Sequence, residues 1–281
     1  MDIDEYRNAS HDQWERSAGG WGEWAQRLQE LVAPVSHWMI EELRLQPGQT
    51  VLELAAGPGE TGFLAAELVR PGGKLISSDF AEGMVEVARA RAQDLGLDNV
   101  EFRRLDAESL DLEAASVDGV LCRWGYMLMA DPATALRETR RVLRPLGRVA
   151  LAVWGPPADN PWVSIAGDEV RRHTSAPEPE PGAPGMFAFA DQGRVEEELA
   201  GAGFTDIRVE ALDLRFTYPS FEAWWQLSRD LGRPLAELVD AMEPQQRDEL
   251  LAALEERFAA FATPGGGLDV PARPLVAAAS A

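Results

Sequence analysis

Residues 51–62, Val-Leu-Glu-Leu-Ala-Ala-Gly-Pro-Gly-Glu-Thr-Gly, constrain the fold more than any other stretch. Val51 to Leu54 can form a short buried strand. Gly57, Gly59 and Gly62 follow in a tight run, and a helical pattern begins at once from Phe63 to Val69. A strand, a glycine-rich turn and a helix in that order make a nucleotide-binding corner. The glycines let the backbone bend sharply and let a ligand come close to the main chain. The start of the helix offers unpaired N–H groups to a negative group.

The spacing is also Gly-x-Gly-x-x-Gly, which in this context suits a nicotinamide or flavin dinucleotide. Glu53 argues against that ligand. It sits inside a strand where a sheet covered on both faces ordinarily carries apolar side chains, and a buried carboxylate needs a partner. A cationic ligand supplies one, and S-adenosylmethionine (SAM) carries both an ammonium and a sulfonium. The other reading has Glu53 merely hydrogen-bonded to the turn it precedes. Lys74 to Asp79 reads as the second strand, and Asp79 follows Gly59 by about 20 residues. An acid there can accept hydrogen bonds from both ribose hydroxyls or cap the next helix, so it fits either nucleotide class. After the third strand, Asn99 to Arg104, Asp106 or a neighbouring carbonyl can take the exocyclic amine of adenine.

A formal net charge of −21 over 281 residues repels phosphate backbones and anionic membranes, so the expected partner is a small molecule rather than nucleic acid or lipid. The single cysteine, Cys122, lies in an apolar run. It permits no internal disulfide and no cysteine metal cluster, which fits a reducing cytoplasm, and no metal is expected. The acidic start has no apolar signal region, and no run of residues is long and apolar enough for a membrane span. Oligomeric state stays open, with a homodimer as one option.

The rest of the chain alternates strands and helices, the pattern of a doubly wound α/β sheet. Ser116–Arg123 and Arg148–Trp154 read as strands four and five, and Thr205–Thr217 as one long sixth strand. Arg273–Ala279 reads as a final edge strand that tolerates its proline. Four parts are expected: an N-terminal helical cap over 1–46, a nucleotide-binding core over 47–218, a helical insertion over 219–262 and the last strand of the core over 263–281. Trp14, Trp21 and Trp24 share a helical face in the cap if Gly19-Gly20 does not break the helix. The cap is then either a packed helix or a lid. The proline-rich loop within 155–190 is a second lid at the ligand edge.

Together these motifs resemble the class I SAM-dependent methyltransferases, nearest to the group that includes the ubiquinone/menaquinone-type enzymes. The resemblance rests on residues 51–59, Ser77–Met84, Leu105–Leu110, Ser116–Gly125 and Val142–Trp154, in that order and spacing. It implies a Rossmann-like sheet of seven strands with the last antiparallel, and SAM as cofactor. It implies cofactor contacts from Glu53, Ala55, Gly57 and Gly59 at the corner and a ribose held by Asp79. Phe80 and Met84 would flank adenine, Asp106 and Ala107 would read its edge, and Arg123 and Trp124 would line the methionine side. Leu146 departs from the glycine usual in the turn before strand five.

The implied reaction moves a methyl group from sulfur to an O, N or C atom of a small, apolar or aromatic metabolite. The bulky residues Trp14, Tyr126, Trp154, Trp162 and Trp225 suit such an acceptor. His11, His37, Tyr126 and His173 are the titratable side chains available as a base. The rival readings are an NAD(P)-dependent oxidoreductase and a SAM-binding protein without catalysis.

Overall fold

The strand expected at residues 51–54 forms over Thr50–Glu53, and its neighbours cover it: Val51, Leu52 and Glu53 are all buried. The computed structural model describes residues 2–174 and 182–281. In chain order its elements are α1 (Ile3–Leu43), β1 (Thr50–Glu53), α2 (Glu60–Leu68), β2 (Lys74–Asp79), α3 (Glu82–Asp94) and β3 (Val100–Arg104). There follow β4 (Val117–Arg123), α4 (Pro132–Val142), β5 (Leu143–Trp154), α5 (Pro161–Thr174), α6 (Gln192–Gly201) and β6 (Thr205–Ala211). The chain ends with β7 (Leu214–Tyr218), α7 (Phe221–Leu231), α8 (Arg233–Asp240), α9 (Pro244–Phe258), β8 (Leu268–Ala272) and β9 (Pro274–Ser280).

Seven strands form the main sheet in the order β3-β2-β1-β4-β5-β9-β6. β1 to β5 are parallel, and β9 runs antiparallel to both β5 and β6. This is a doubly wound, Rossmann-like sheet whose last strand is antiparallel. The strand order reverses between β1 and β4, which places the ligand crevice beyond the ends of β1 and β4.

Two strand expectations need correction. β9 is not an edge strand: it lies between β5 and β6, buried along nearly its whole length. Its run Leu-Val-Ala-Ala-Ala is continuously apolar, as a strand covered on both faces requires. Pro274 is tolerated because it is the first residue, paired opposite Trp154, where a missing N–H interrupts no ladder. The edge is β6. The long sixth strand is also two strands, since the chain leaves the main sheet at Leu212-Asp213 and β7 pairs only with β8. β8 therefore belongs to this small sheet rather than to the core.

The N-terminal region is a single 41-residue helix that passes through Gly19-Gly20 and Pro34. The glycines serve close packing instead of ending it. A Cβ on Gly20 would lie 2.4 Å from the Asp230 carbonyl oxygen, and one on Gly22 would lie 3.0 Å from Val87. Contacts with α7 and α3 thus offset the low helix propensity of glycine. The Trp21 indole donates to the Leu231 carbonyl and the Trp24 indole to Asp230. Farther on, Val32, Val35, Met39, Ile40 and Leu43 enter the core.

Helix α5 occupies part of the 155–190 segment, and α7, α8 and α9 fall within 219–262. The stretch 175–181 of the expected proline-rich lid lies outside the described residues. Among the described residues no helix is long and apolar enough to cross a membrane.

Candidate active site

The glycine corner is built on a buried acid. Glu53 points away from the crevice and accepts a hydrogen bond from the Gly62 N–H at 2.7 Å. Its other oxygen, Oε2, is buried without a partner among the described residues. Burial pushes its pKa up to about 8, against the opposing pull of that N–H and of Arg123. Glu53 therefore braces the turn from behind, the second of the two readings the sequence left open. Gly59 also faces inward: it precedes α2, and a Cβ there would lie 2.5 Å from the Phe63 ring.

Ala55 and Gly57 form the cradle. Both have left-handed backbones, with φ of 49° and 52°. Ala55 carries this strain without being glycine. A Cβ on Gly57 would meet nothing within 4 Å, because that side of the residue opens into the crevice. The Gly57 N–H donates to Asp79 Oδ2 at 3.0 Å, and the Ala81 N–H to Asp79 Oδ1 at 3.1 Å. Asp79 is 7% exposed, and burial pushes it up to about 6 despite those N–H donors. It does not cap α3. The first amides of α3, on Glu82 and Gly83, are capped instead by Glu15 of α1 at 2.6 and 2.9 Å.

A cavity of about 530 Å³ runs from this cradle to the small sheet and the insertion helices. Ala55, Gly57, Asp79, Phe80, Met84, Asp106, Ala107, Arg123 and Trp124 all face it. So the strand ends bring together nine of the eleven residues expected at the cofactor, leaving out Glu53 and Gly59. Of the expected acceptor residues, Trp14, Trp154 and Trp162 face the cavity and Tyr126 does not. Tyr126 is a correction. It is 1% exposed, its hydroxyl is bonded to Thr139 Oγ1 at 2.7 Å, and burial raises its pKa well above the phenol range. It anchors α4 and is neither a base nor an acceptor contact.

The histidines are also outside the cavity. His37 is exposed on α1, and His173 lies beside the Glu169 carbonyl on α5. His11 sits edge-on to Phe80 at 5.6 Å, between Glu15 and Arg104. Trp225 packs on Trp224 and is likewise absent from the wall. Among the described residues no cluster of three or more His, Cys, Asp or Glu is placed to hold a metal ion.

Several cavity residues were not legible in the sequence. Tyr6 and Arg7 close the rim from α1: the Tyr6 hydroxyl donates to the Leu128 carbonyl at 2.7 Å, and Arg7 Nε donates to Glu108 at 3.0 Å. Tyr6, Gln13, Trp21 and Leu28 recur on one face of α1, a signal visible only once the helix is known to pass through Gly19-Gly20. Phe216 and Tyr218 enter from β7, whose departure from the main sheet the sequence did not mark.

Arg123 forms a buried ion pair with Glu60, with Thr61 at 3.0 Å from its Nε. Its guanidinium lies 4.5 Å over the Trp124 ring, which stacks on Trp154 at 4.6 Å and 8°. Glu60 opens α2. A buried carboxylate at that helix start repels the pyrophosphate a dinucleotide would place there. The cradle, by contrast, fits SAM. Its glycine side is open, and the Asp79 carboxylate lines the cavity with lone pairs beyond those taken by the Gly57 and Ala81 N–H groups, which ribose hydroxyls can use.

Residues 45–161 match the family model of a methyltransferase domain. The chain is 33% identical over 248 residues to nocamycin O-methyltransferase of Saccharothrix syringae, covering 84% of this chain and 87% of that protein. It is 37% identical over 130 residues to the ubiquinone/menaquinone biosynthesis C-methyltransferase of Hahella chejuensis, covering 46% of this chain and 52% of that protein. In fold it is similar to the YcgJ protein of Bacillus subtilis, with a TM-score of 0.60 at 20% identity over 88% of this chain and 98% of that one.

Proposed function

The chain belongs to the SAM-dependent methyltransferase family, and from that premise we propose that it methylates an oxygen of a small, apolar, ring-containing metabolite. One observation carries the acceptor class. Among the described residues, every charged side chain facing the cavity is at its cofactor half, while the far half is mainly apolar and aromatic, with Tyr218 and Ser228 as its hydroxyl-bearing residues. The choice of oxygen is supported by the relative that spans most of the chain, an O-methyltransferase.

When bound, SAM supplies a methyl group already activated on a sulfonium. In this reading Asp79 accepts the ribose hydroxyls, Phe80 and Met84 flank the adenine, and Asp106 with Ala107 meets its edge. Ala55 and Gly57 allow the amino-acid part close to the backbone. Trp124 stands where the cofactor half meets the far half. The chain's contribution to rate is then orientation of the acceptor and exclusion of water, since a charge-neutralising transfer gains from a low-dielectric chamber.

Calorimetry with SAM and S-adenosylhomocysteine tests the cofactor, and failure to bind either sinks the reading. Transfer of a labelled methyl from SAM into an organic-soluble product tests the activity. Label recovered only in protein, or in no product at all, rejects the small-molecule assignment.

A further inference from the structure

The acceptor end of the cavity, as assigned under the methyltransferase reading, is built from rings. Trp154 is stacked on Trp124, tilted against Trp162 at 4.8 Å and edge-on to Phe216 at 6.2 Å. Trp162 meets Phe216 at 5.3 Å. All four rings face the cavity. Contiguous aromatic faces and edges favour a flat partner over a puckered one of equal size, because ring pairs gain from offset stacking and edge contacts beyond buried area.

Tyr218 follows Phe216 by two positions on β7, so the two rings project from the same face of the strand. Both are buried and both line the cavity. Tyr218 is 5% exposed; its hydroxyl makes no hydrogen bond with the described residues and, not being sealed off, stays accessible from the cavity it lines. Burial raises its pKa, so it is a neutral donor at physiological pH. Leaving a buried polar group unpaired is costly, and native structures seldom do so without a ligand or water to satisfy it.

We infer that the methyl acceptor is a planar, conjugated molecule bearing a ring hydroxyl or carbonyl oxygen, held against the Trp154–Trp162–Phe216 wall with one oxygen hydrogen-bonded to the Tyr218 hydroxyl. This makes Tyr218 a specificity-determining contact. The inference rests on the methyltransferase reading but fails separately from it.

The test uses the full chain loaded with S-adenosylhomocysteine and three matched probes: a naphthol, its fully hydrogenated counterpart and naphthalene. Calorimetry should find the naphthol bound at least about tenfold more tightly than the saturated alcohol. Tyr218→Phe keeps the ring and its packing, and should weaken naphthol binding about three- to tenfold, the loss of one hydrogen bond. Naphthalene binding should not change in that variant. Equal affinity for the flat and the saturated alcohol overturns the proposal, as does a Tyr218→Phe variant that binds naphthol normally. Binding of none of the probes by protein that still binds S-adenosylhomocysteine also overturns it. Failure to bind S-adenosylhomocysteine in the first place would strike the cofactor assignment instead.

Discussion

Gly62 lacks a side chain because the Glu53 carboxylate occupies the place one would take. The Gly62 N–H donates to Glu53 Oε1 at 2.7 Å, and a Cβ on Gly62 would lie 2.1 Å from Oε2. The third glycine of the Gly-x-Gly-x-x-Gly run is thus fixed by the strand acid behind the turn. It owes nothing to a phosphate in front of it.

Gly62→Ala and Gly57→Ala should therefore fail in different ways. At Gly62 the clash is with a buried side chain, so urea unfolding should report a loss of about 2–4 kcal/mol. At Gly57 the Cβ enters open space but the backbone is left-handed, which costs about 1–2 kcal/mol. The larger effect there should be on S-adenosylhomocysteine affinity, reduced more than about tenfold because the added methyl projects into the cradle. Equal losses of stability in the two variants would contradict this division.

Asp79 makes cofactor affinity depend on pH. Its pKa is raised from 3.8 to about 6, so the carboxylate that ribose hydroxyls need is lost as pH falls through about 6. At about pH 5 only about a tenth of the sites are ionised, and affinity by calorimetry should be roughly tenfold weaker than at about pH 7.5. Asp79→Asn should bind weakly and without that dependence. The stability of the unliganded protein has the opposite trend. Asp79 and Glu53, raised to about 6 and about 8, hold more protons folded than unfolded. Stability should fall as pH rises from about 4 to about 8.

The Arg7–Glu108 pair ties the start of α1 to the loop after β3 at the mouth of the cofactor half. Arg7 is substantially exposed, so Arg7→Ala should change stability by less than about 1 kcal/mol. Its effect belongs to kinetics: stopped-flow displacement should find S-adenosylhomocysteine leaving several times faster. An unchanged release rate would mean that this end of α1 is only packing.

Leu146 stands at φ 69° and is 88% exposed in the turn before the buried part of β5. Leu146→Gly removes the strain of a left-handed leucine and an exposed apolar side chain. After the entropy glycine returns to the unfolded chain, a gain of about 0.5–1 kcal/mol should remain, read as a higher urea midpoint. No change in cofactor affinity is expected.

The sequence by itself determined the corner, the alternation of strands and helices from Thr50 to Trp154, and the acids at the strand ends. These are local signals. Glycine spacing, a short strand broken by one acid and an acid after a strand are each read over a few residues, from backbone sterics and burial. Even Pro274 and the apolar run behind it carried the mark of an interior strand, although the proline suggested an edge. Tertiary structure decided what faces what. Only packing against Asp230 and Val87 lets α1 run through its glycines and bring Tyr6 and Arg7 to the rim. Only the pairing of β7 with β8, residues far apart in the chain, turns Phe216 and Tyr218 toward Trp154 and Trp162. The same long-range packing buries Tyr126 against Thr139 and leaves His37 outside, because a side chain's direction depends on partners its own neighbourhood in sequence does not name.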